Sequence, residues 1–180
     1  MAATTTHLMT VEEFSDLPKD DGPVYHELHH GEIVAVPRAK YKHYFLQSRL
    51  RDELRAVAPP GGLVEIEFAF RALPEYELRV ADIAYVPTER KESIDPDNYL
   101  QGAPDLVIEV LSPSNKVAEL YEREKLCLEN GAQEFWIIDQ DRRQVKVSTP
   151  DGRTITYTSG SEIPLTLFGG AKLAVDTIFR

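Results

Sequence analysis

The amino-acid sequence predicts an α/β fold in which helices flank a mixed central β-sheet and a β-hairpin lies near each terminus. Three observations carry that expectation. Strand-like runs at Leu63–Phe70, Glu77–Val86 and Leu106–Leu111 are interleaved with helix-period segments at Ala39–Val57 and Asn115–Asn130. Hairpin patterns lie among them, so the strands cannot all run parallel. The 180 residues are 42% hydrophobic and 28% charged, without repeat, low-complexity tract or linker, which describes one globular domain over 1–180.

Each element has a local cause. Thr10-Val11-Glu12-Glu13 reads as a capping box, its hydroxyl and carboxylate satisfying free amides of a short helix that runs through Leu17. Val24–Leu28 and Glu32–Pro37 read as strands joined by a tight turn at His30-Gly31. Leu46, Leu50, Leu54 and Val57 recur at helical spacing, and Pro59-Pro60-Gly61-Gly62 stops that helix. In the next run Val64, Ile66, Phe68 and Phe70 alternate with Glu65, Glu67 and Ala69, as a half-buried strand does. Glu77–Val86 alternates likewise, and polar Pro87–Gly102, with Pro96, is expected to be a surface loop. Leu106–Leu111 is apolar and β-branched enough for a central strand. Ser112-Pro113-Ser114 breaks it, and the helix from Asn115 closes at Gly131. Phe135–Asp139 and Val145–Val147 form a hairpin, and Thr154–Thr158 a short strand after the Asp151-Gly152 turn.

Several function classes are excluded. No apolar run approaches the roughly 20 residues of a membrane span, and Met1–Met9 lacks the basic and apolar segments of a secretory signal. A cytoplasmic location with no membrane partner is the expectation. The lone Cys127 permits neither an internal disulfide nor a cysteine zinc site, and between Leu126 and Leu128 it reads as a buried hydrophobe. Walker, GxGxxG and nucleophile-elbow patterns are absent. The net charge of −10 argues against a broad phosphate-binding surface. A local one is available at Arg38, Lys40, Tyr41, Lys42 and Arg49, either a grip on a phosphate backbone or a solvated helix face. Phe135 and Trp136, beside Ile137 and Ile138, read as core.

Two carboxylates are out of place. Glu109 interrupts the most apolar strand, where a charge is costly unless it reaches water, is paired or binds a cation. Asp82 repeats the anomaly among Val80, Ala81, Ile83 and Ala84. On neighbouring strands the two would form an oxygen-rich site for Mg²⁺ or Mn²⁺, ions that polarise phosphoryl oxygens and activate water. Asp105, four residues before Glu109, reads as a strand-entry turn. His26, His29 and His30 cluster before Gly31, where a turn explains them better than zinc. His43 is either a contact to phosphate or a solvated first-turn residue.

The stretches "PDLVIEVLSPSN" and "ENGAQEFWIID", with "YHELHHGEIVAVP", His43 and "VADIAYVP" before them, resemble the Uma2-type (DUF820) proteins of the PD-(D/E)XK nuclease superfamily. The resemblance runs from about Tyr25 to Trp136. It implies a restriction-endonuclease-like sheet and a divalent-metal-dependent endonuclease acting on DNA. Asp82 and Glu109 match the two acidic ligands, and Glu27 matches an early third carboxylate. Leu111 stands where the superfamily has its lysine, and the family compensates from the following helix. Lys125 and Arg123 are the candidates there, and the sequence leaves the choice open. Arginine keeps the charge but cannot act as a proton carrier, and the −10 charge together with Leu111 and the displaced basic residue makes a nuclease-fold binding module without turnover the alternative. The tail "EIPLTLFGGAKLAV" also resembles the family, as a strand or dimer edge, and a homodimer is implied on the same footing.

Overall fold

A computed structural model describes residues 7–18, 22–112 and 116–180. Residues 1–6, most of the Met1–Met9 start, and 113–115, which hold most of the Ser-Pro-Ser break and Asn115, lie outside the described residues. The helices are α1 (Val11–Ser15), α2 (Tyr41–Val57), α3 (Thr88–Glu92), α4 (Val117–Glu129) and α5 (Val175–Ile178). The strands are β1 (Val24–His29), β2 (Glu32–Pro37), β3 (Leu63–Arg71), β4 (Arg79–Val86), β5 (Leu100–Gln101) and β6 (Leu106–Val110), followed by β7 (Glu134–Asp139), β8 (Gln144–Ser148), β9 (Thr154–Thr158), β10 (Glu162–Leu165) and β11 (Ala171–Ala174). No helix among the described residues is long and apolar enough to cross a membrane.

The sheet is mixed, as expected. Its order is β5-β3-β4-β6-β7-β8-β9, with β3–β5 and β6–β7 parallel and the other pairs antiparallel. One face packs Ile83, Ile108 and Trp136 against Leu46, Leu50 and Leu54 of α2 and against the C-terminal Ile163, Phe168 and Leu173. The other packs Val107, Phe135 and Ile137 against Leu126 and Cys127 of α4. Trp136 is fully buried and donates from Nε1 to Glu134 Oε2 at 2.8 Å, so it is core. The tail forms its own β10–β11 hairpin over the core, leaving β9 as the sheet edge.

Two local devices shape the site. The Thr10 capping box is present, with Glu13 N–H donating to Thr10 Oγ1 and Thr10 N–H to Glu13 Oε2. At the β1–β2 turn, His30 and Gly31 have φ of 49° and 77° between the paired His29 and Glu32, which makes a two-residue turn with both central residues left-handed. A Cβ on Gly31 would lie 2.7 Å from Leu8 Cβ as well. Gly31→Ala is therefore expected to cost about 1–3 kcal/mol, read as a lower urea midpoint with an unchanged slope.

The expected loop Pro87–Gly102 is more ordered than its polarity suggested. It holds α3, whose Glu89 and Arg90-Lys91 complement the helix dipole, and β5, which buries Leu100 against β3. Both are too short for a hydrophobic period to show. The first helix ends at Ser15 rather than Leu17, and β4 starts at Arg79 rather than Glu77. Before it, Leu78 bridges Leu28 of β1, and Glu77 turns inward to Arg79 at 2.6 Å.

Candidate active site

The backbone opens at Asp82. The β3–β4 ladder pairs Ile66 with Ile83 and Phe68 with Ala81, but skips Glu67 and Asp82, and Glu67 has a left-handed φ of 49°. Pairing of β4 with β6 stops at Ile83 and Ile108. Asp82 thus sits in a gap on both sides. A non-glycine residue in this conformation is strained, and such strain gathers at functional sites.

Asp82 Oδ2 accepts the Val110 N–H at 2.7 Å, which places it beside the residue after Glu109. Its Oδ1 accepts Gln47 Nε2–H at 2.8 Å. His43 Nε2 lies 3.1 Å from Oδ2 without hydrogen-bond alignment. His43 and Gln47 are four residues apart, so one face of α2 presents both to Asp82. Gln47 is fully buried, and its Oε1 has no hydrogen-bond partner among the described residues.

On the other side one guanidinium ties three strands together. Arg123 Nη1 donates to Glu109 Oε1 at 3.1 Å and to the Val80 carbonyl at 2.9 Å, and Nη2 donates to Glu27 Oε2 at 2.5 Å. His29 Nε2 also lies 2.5 Å from Glu27 Oε2, and Val80 N–H donates to Glu27 Oε1 at 3.1 Å. The planar fork of arginine can make such simultaneous contacts. Next along α4, Glu122 binds Arg79 and His30, both of which also bind buried Glu77. Consecutive residues of α4 thus clamp the β1–β2 hairpin to β4 and fix where Arg123 points.

The electrostatics are unbalanced. Burial alone would raise the Glu27 carboxyl, but Arg123, His29 and the Val80 amide hold it below the usual range. Burial, with Asp82 and Glu27 nearby, pushes Glu109 up to about 8 despite Arg123. The carboxylates overcome the burial of Arg123 and keep it charged. Of the three carboxylates, Arg123 contacts Glu27 and Glu109, while Asp82 faces Gln47, the Val110 amide and His43, so the corner is short of fixed positive charge.

The structure brings Asp82, Glu109, Glu27 and Arg123 together and leaves Lys125 out. Lys125 is 73% exposed, with Nζ 3.9 Å from Glu129, because two residues along a helix turn it about 200° from Arg123. Lys125→Ala is accordingly expected to change stability by no more than about 0.5 kcal/mol, measured by thermal unfolding. Asp105 pairs with Arg90 at 2.5 Å and is structural. His29 faces Glu27, whereas His30 faces Glu77 and Glu122. His43, far from being solvated, is turned against Asp82. Burial raises the Cys127 thiol and leaves it inert. Gln47 escaped sequence reasoning, although an amide on the apolar face of Leu46, Leu50 and Leu54 was a legible signal.

Among the described residues no three His, Cys, Asp or Glu side chains gather into a metal cluster. The carboxylate oxygens of Asp82 and Glu109 are donors of the kind Mg²⁺ takes, since that ion commonly uses one or two carboxylates and keeps several waters. The missing positive charge, the raised Glu109 and the unpartnered Gln47 oxygen agree with a cation between Asp82 and Glu109.

Residues 11–176 match the family described as Uma2, "Putative restriction endonuclease". The fold is similar to that of a solved protein from Anabaena variabilis ATCC 29413, described as "a putative nuclease belonging to DUF820". The TM-score is 0.80 at 24% identity, covering 95% of this chain and 97% of that one. No curated protein sequence matches the chain.

Proposed function

The chain belongs to the Uma2 family, and from that membership we propose that it hydrolyses phosphodiester bonds of DNA at the corner of Asp82 and Glu109, with Mg²⁺ or Mn²⁺. The observation that supports this most is the juxtaposition of two inward carboxylates, one bonded to the amide beside the other, in surroundings short of positive charge. Asp82 and Glu109 would hold the cation. When bound, that ion polarises a phosphoryl oxygen and activates water.

The remaining residues act around that pair. Gln47 fixes Asp82 through Oδ1, and its own Oε1 is a buried neutral acceptor without a partner among the described residues. His43 Nε2 lies 3.1 Å from Asp82 Oδ2, at the edge of the pair. Arg123 orients Glu109 and lends charge to the developing transition state, but it cannot carry the proton. Glu27, with both oxygens engaged, anchors Arg123 rather than serving as a third ligand.

The test couples two measurements. Calorimetric titration of Mg²⁺ or Mn²⁺ should give binding that Asp82→Ala abolishes, and a plasmid-nicking assay should give cleavage that requires the same ion. Metal binding without cleavage of DNA would favour the second reading, a binding module, which Arg123 in place of a lysine supports. Absence of metal binding up to millimolar concentrations would remove the site assignment altogether. Homodimerisation rests on the resemblance alone and is read directly by sedimentation.

A further inference from the structure

The first turns of α2 carry an unusual surface. Tyr41 is 80% exposed, and Tyr44 and Phe45 are each 48% exposed. The rings of Tyr41 and Phe45 stack at 6.0 Å with an interplanar angle of 24°, and the Arg49 guanidinium lies 4.8 Å from the Phe45 ring centre. Single exposed aromatics are ordinary, but three within five residues on one helix face make an exposed aromatic cluster. The charge there is equally local. Positions 38–51 hold Arg38, Lys40, Lys42, Arg49 and Arg51 without one Asp or Glu, in a chain of net charge −10.

We propose that this aromatic and basic face of α2 binds an unpaired polynucleotide strand, stacking its bases on Tyr41, Tyr44 and Phe45 and pairing its phosphates with Lys40, Lys42 and Arg38. Duplex binding rests mostly on many cations along a groove, and a chain of net charge −10 is poorly suited to that. Strands with free bases need fewer cations, because aromatic rings take up the exposed base faces whatever the sequence. The same helix turns one face inward, with His43 and Gln47 against Asp82, and the rings outward on the opposite side. A strand laid on the rings is therefore held on the outer face of α2, with the helix between it and the carboxylates. The substrate class rests on the hydrolytic reading above, whereas the binding surface stands apart from it.

The test is binding in EDTA, where no metal-dependent cleavage occurs. Anisotropy titrations of the full chain use fluorescein-labelled oligo-dT, oligo-rU of equal length and a matched duplex. Wild type should bind oligo-dT more tightly than duplex, and the rU arm tells whether the sugar matters. Tyr41→Ala/Phe45→Ala should lose about tenfold or more on the single strand and little on duplex, whereas Tyr41→Phe, which keeps the ring, should bind as wild type does. Lys40→Gln/Lys42→Gln should flatten the salt dependence by about 0.7 for each phosphate no longer neutralised. Equal affinity of wild type and the double alanine variant for oligo-dT would overturn the proposal, as would binding to none of the three probes. So would a shift in oligomeric state on ring removal with oligo-dT affinity unchanged, since the face would then be an interface between copies. Ring-dependent binding of oligo-dT by a protein that never cleaves with Mn²⁺ would keep this surface and remove the hydrolytic reading instead.

Discussion

Glu109→Gln is expected to abolish metal-dependent cleavage while leaving the protein folded and, at pH 8 to 9 without metal, more stable than wild type. The Glu109 carboxyl is raised to about 8 by burial and by the nearby Asp82 and Glu27, against Arg123. The sign follows from proton binding. A carboxyl that titrates near 4.5 when unfolded and near 8 when folded holds its proton more tightly in the folded protein. Its contribution to stability is complete below pH 4.5 and is lost as the pH rises through 8. Glutamine keeps the shape, has no proton to lose, and can still accept from Arg123, so the variant lacks that slope. The expected gain is a few degrees in melting temperature at high pH, shrinking towards pH 5. Millimolar Mn²⁺ should reverse the order by stabilising wild type alone. A variant that unfolds at every pH, or that still nicks plasmid at the wild-type rate, would remove Glu109 from the role assigned here.

The same strand shows how far sequence alone reaches. The sheet, its mixed direction and the two anomalous carboxylates were legible because period-2 runs and a charge among β-branched residues are local signals. The placement of Lys125 and Arg123 was open, because the choice depends on how α4 is rotated. That rotation is set by Glu122 on Arg79 and His30, contacts between residues 43 and 92 positions apart. The gap in the ladders at Asp82 was invisible for the same kind of reason. It arises from the backbone of Glu67, whose sequence context is an ordinary alternating strand. Gln47 stands between these cases. Its polarity on an apolar helix face was readable, but only the tertiary structure aims it at Asp82.

Arg123 separates fold from chemistry most sharply. Arg123→Ala removes the cation that faces Glu27 and Glu109 and also leaves the Val80 carbonyl without that donor. Breaking a buried ion pair from one side typically costs about 3–5 kcal/mol, so this variant is expected to unfold early, with no activity to interpret. Arg123→Lys is the informative change. A lysine keeps the charge but offers one point of contact, so it cannot reach Glu27, Glu109 and Val80 together. Its expected cost is about 1–2 kcal/mol, seen as a lower urea midpoint. The cleavage rate separates the roles this cation can play. If arginine acts only by holding Glu109 and supplying charge, lysine keeps at least a tenth of the wild-type rate. If a proton-carrying ammonium is what the site lacks, the rate rises while stability falls. A drop of more than a hundredfold in rate with the fold intact would show instead that the arginine fork, bridging both carboxylates, is itself required for turnover.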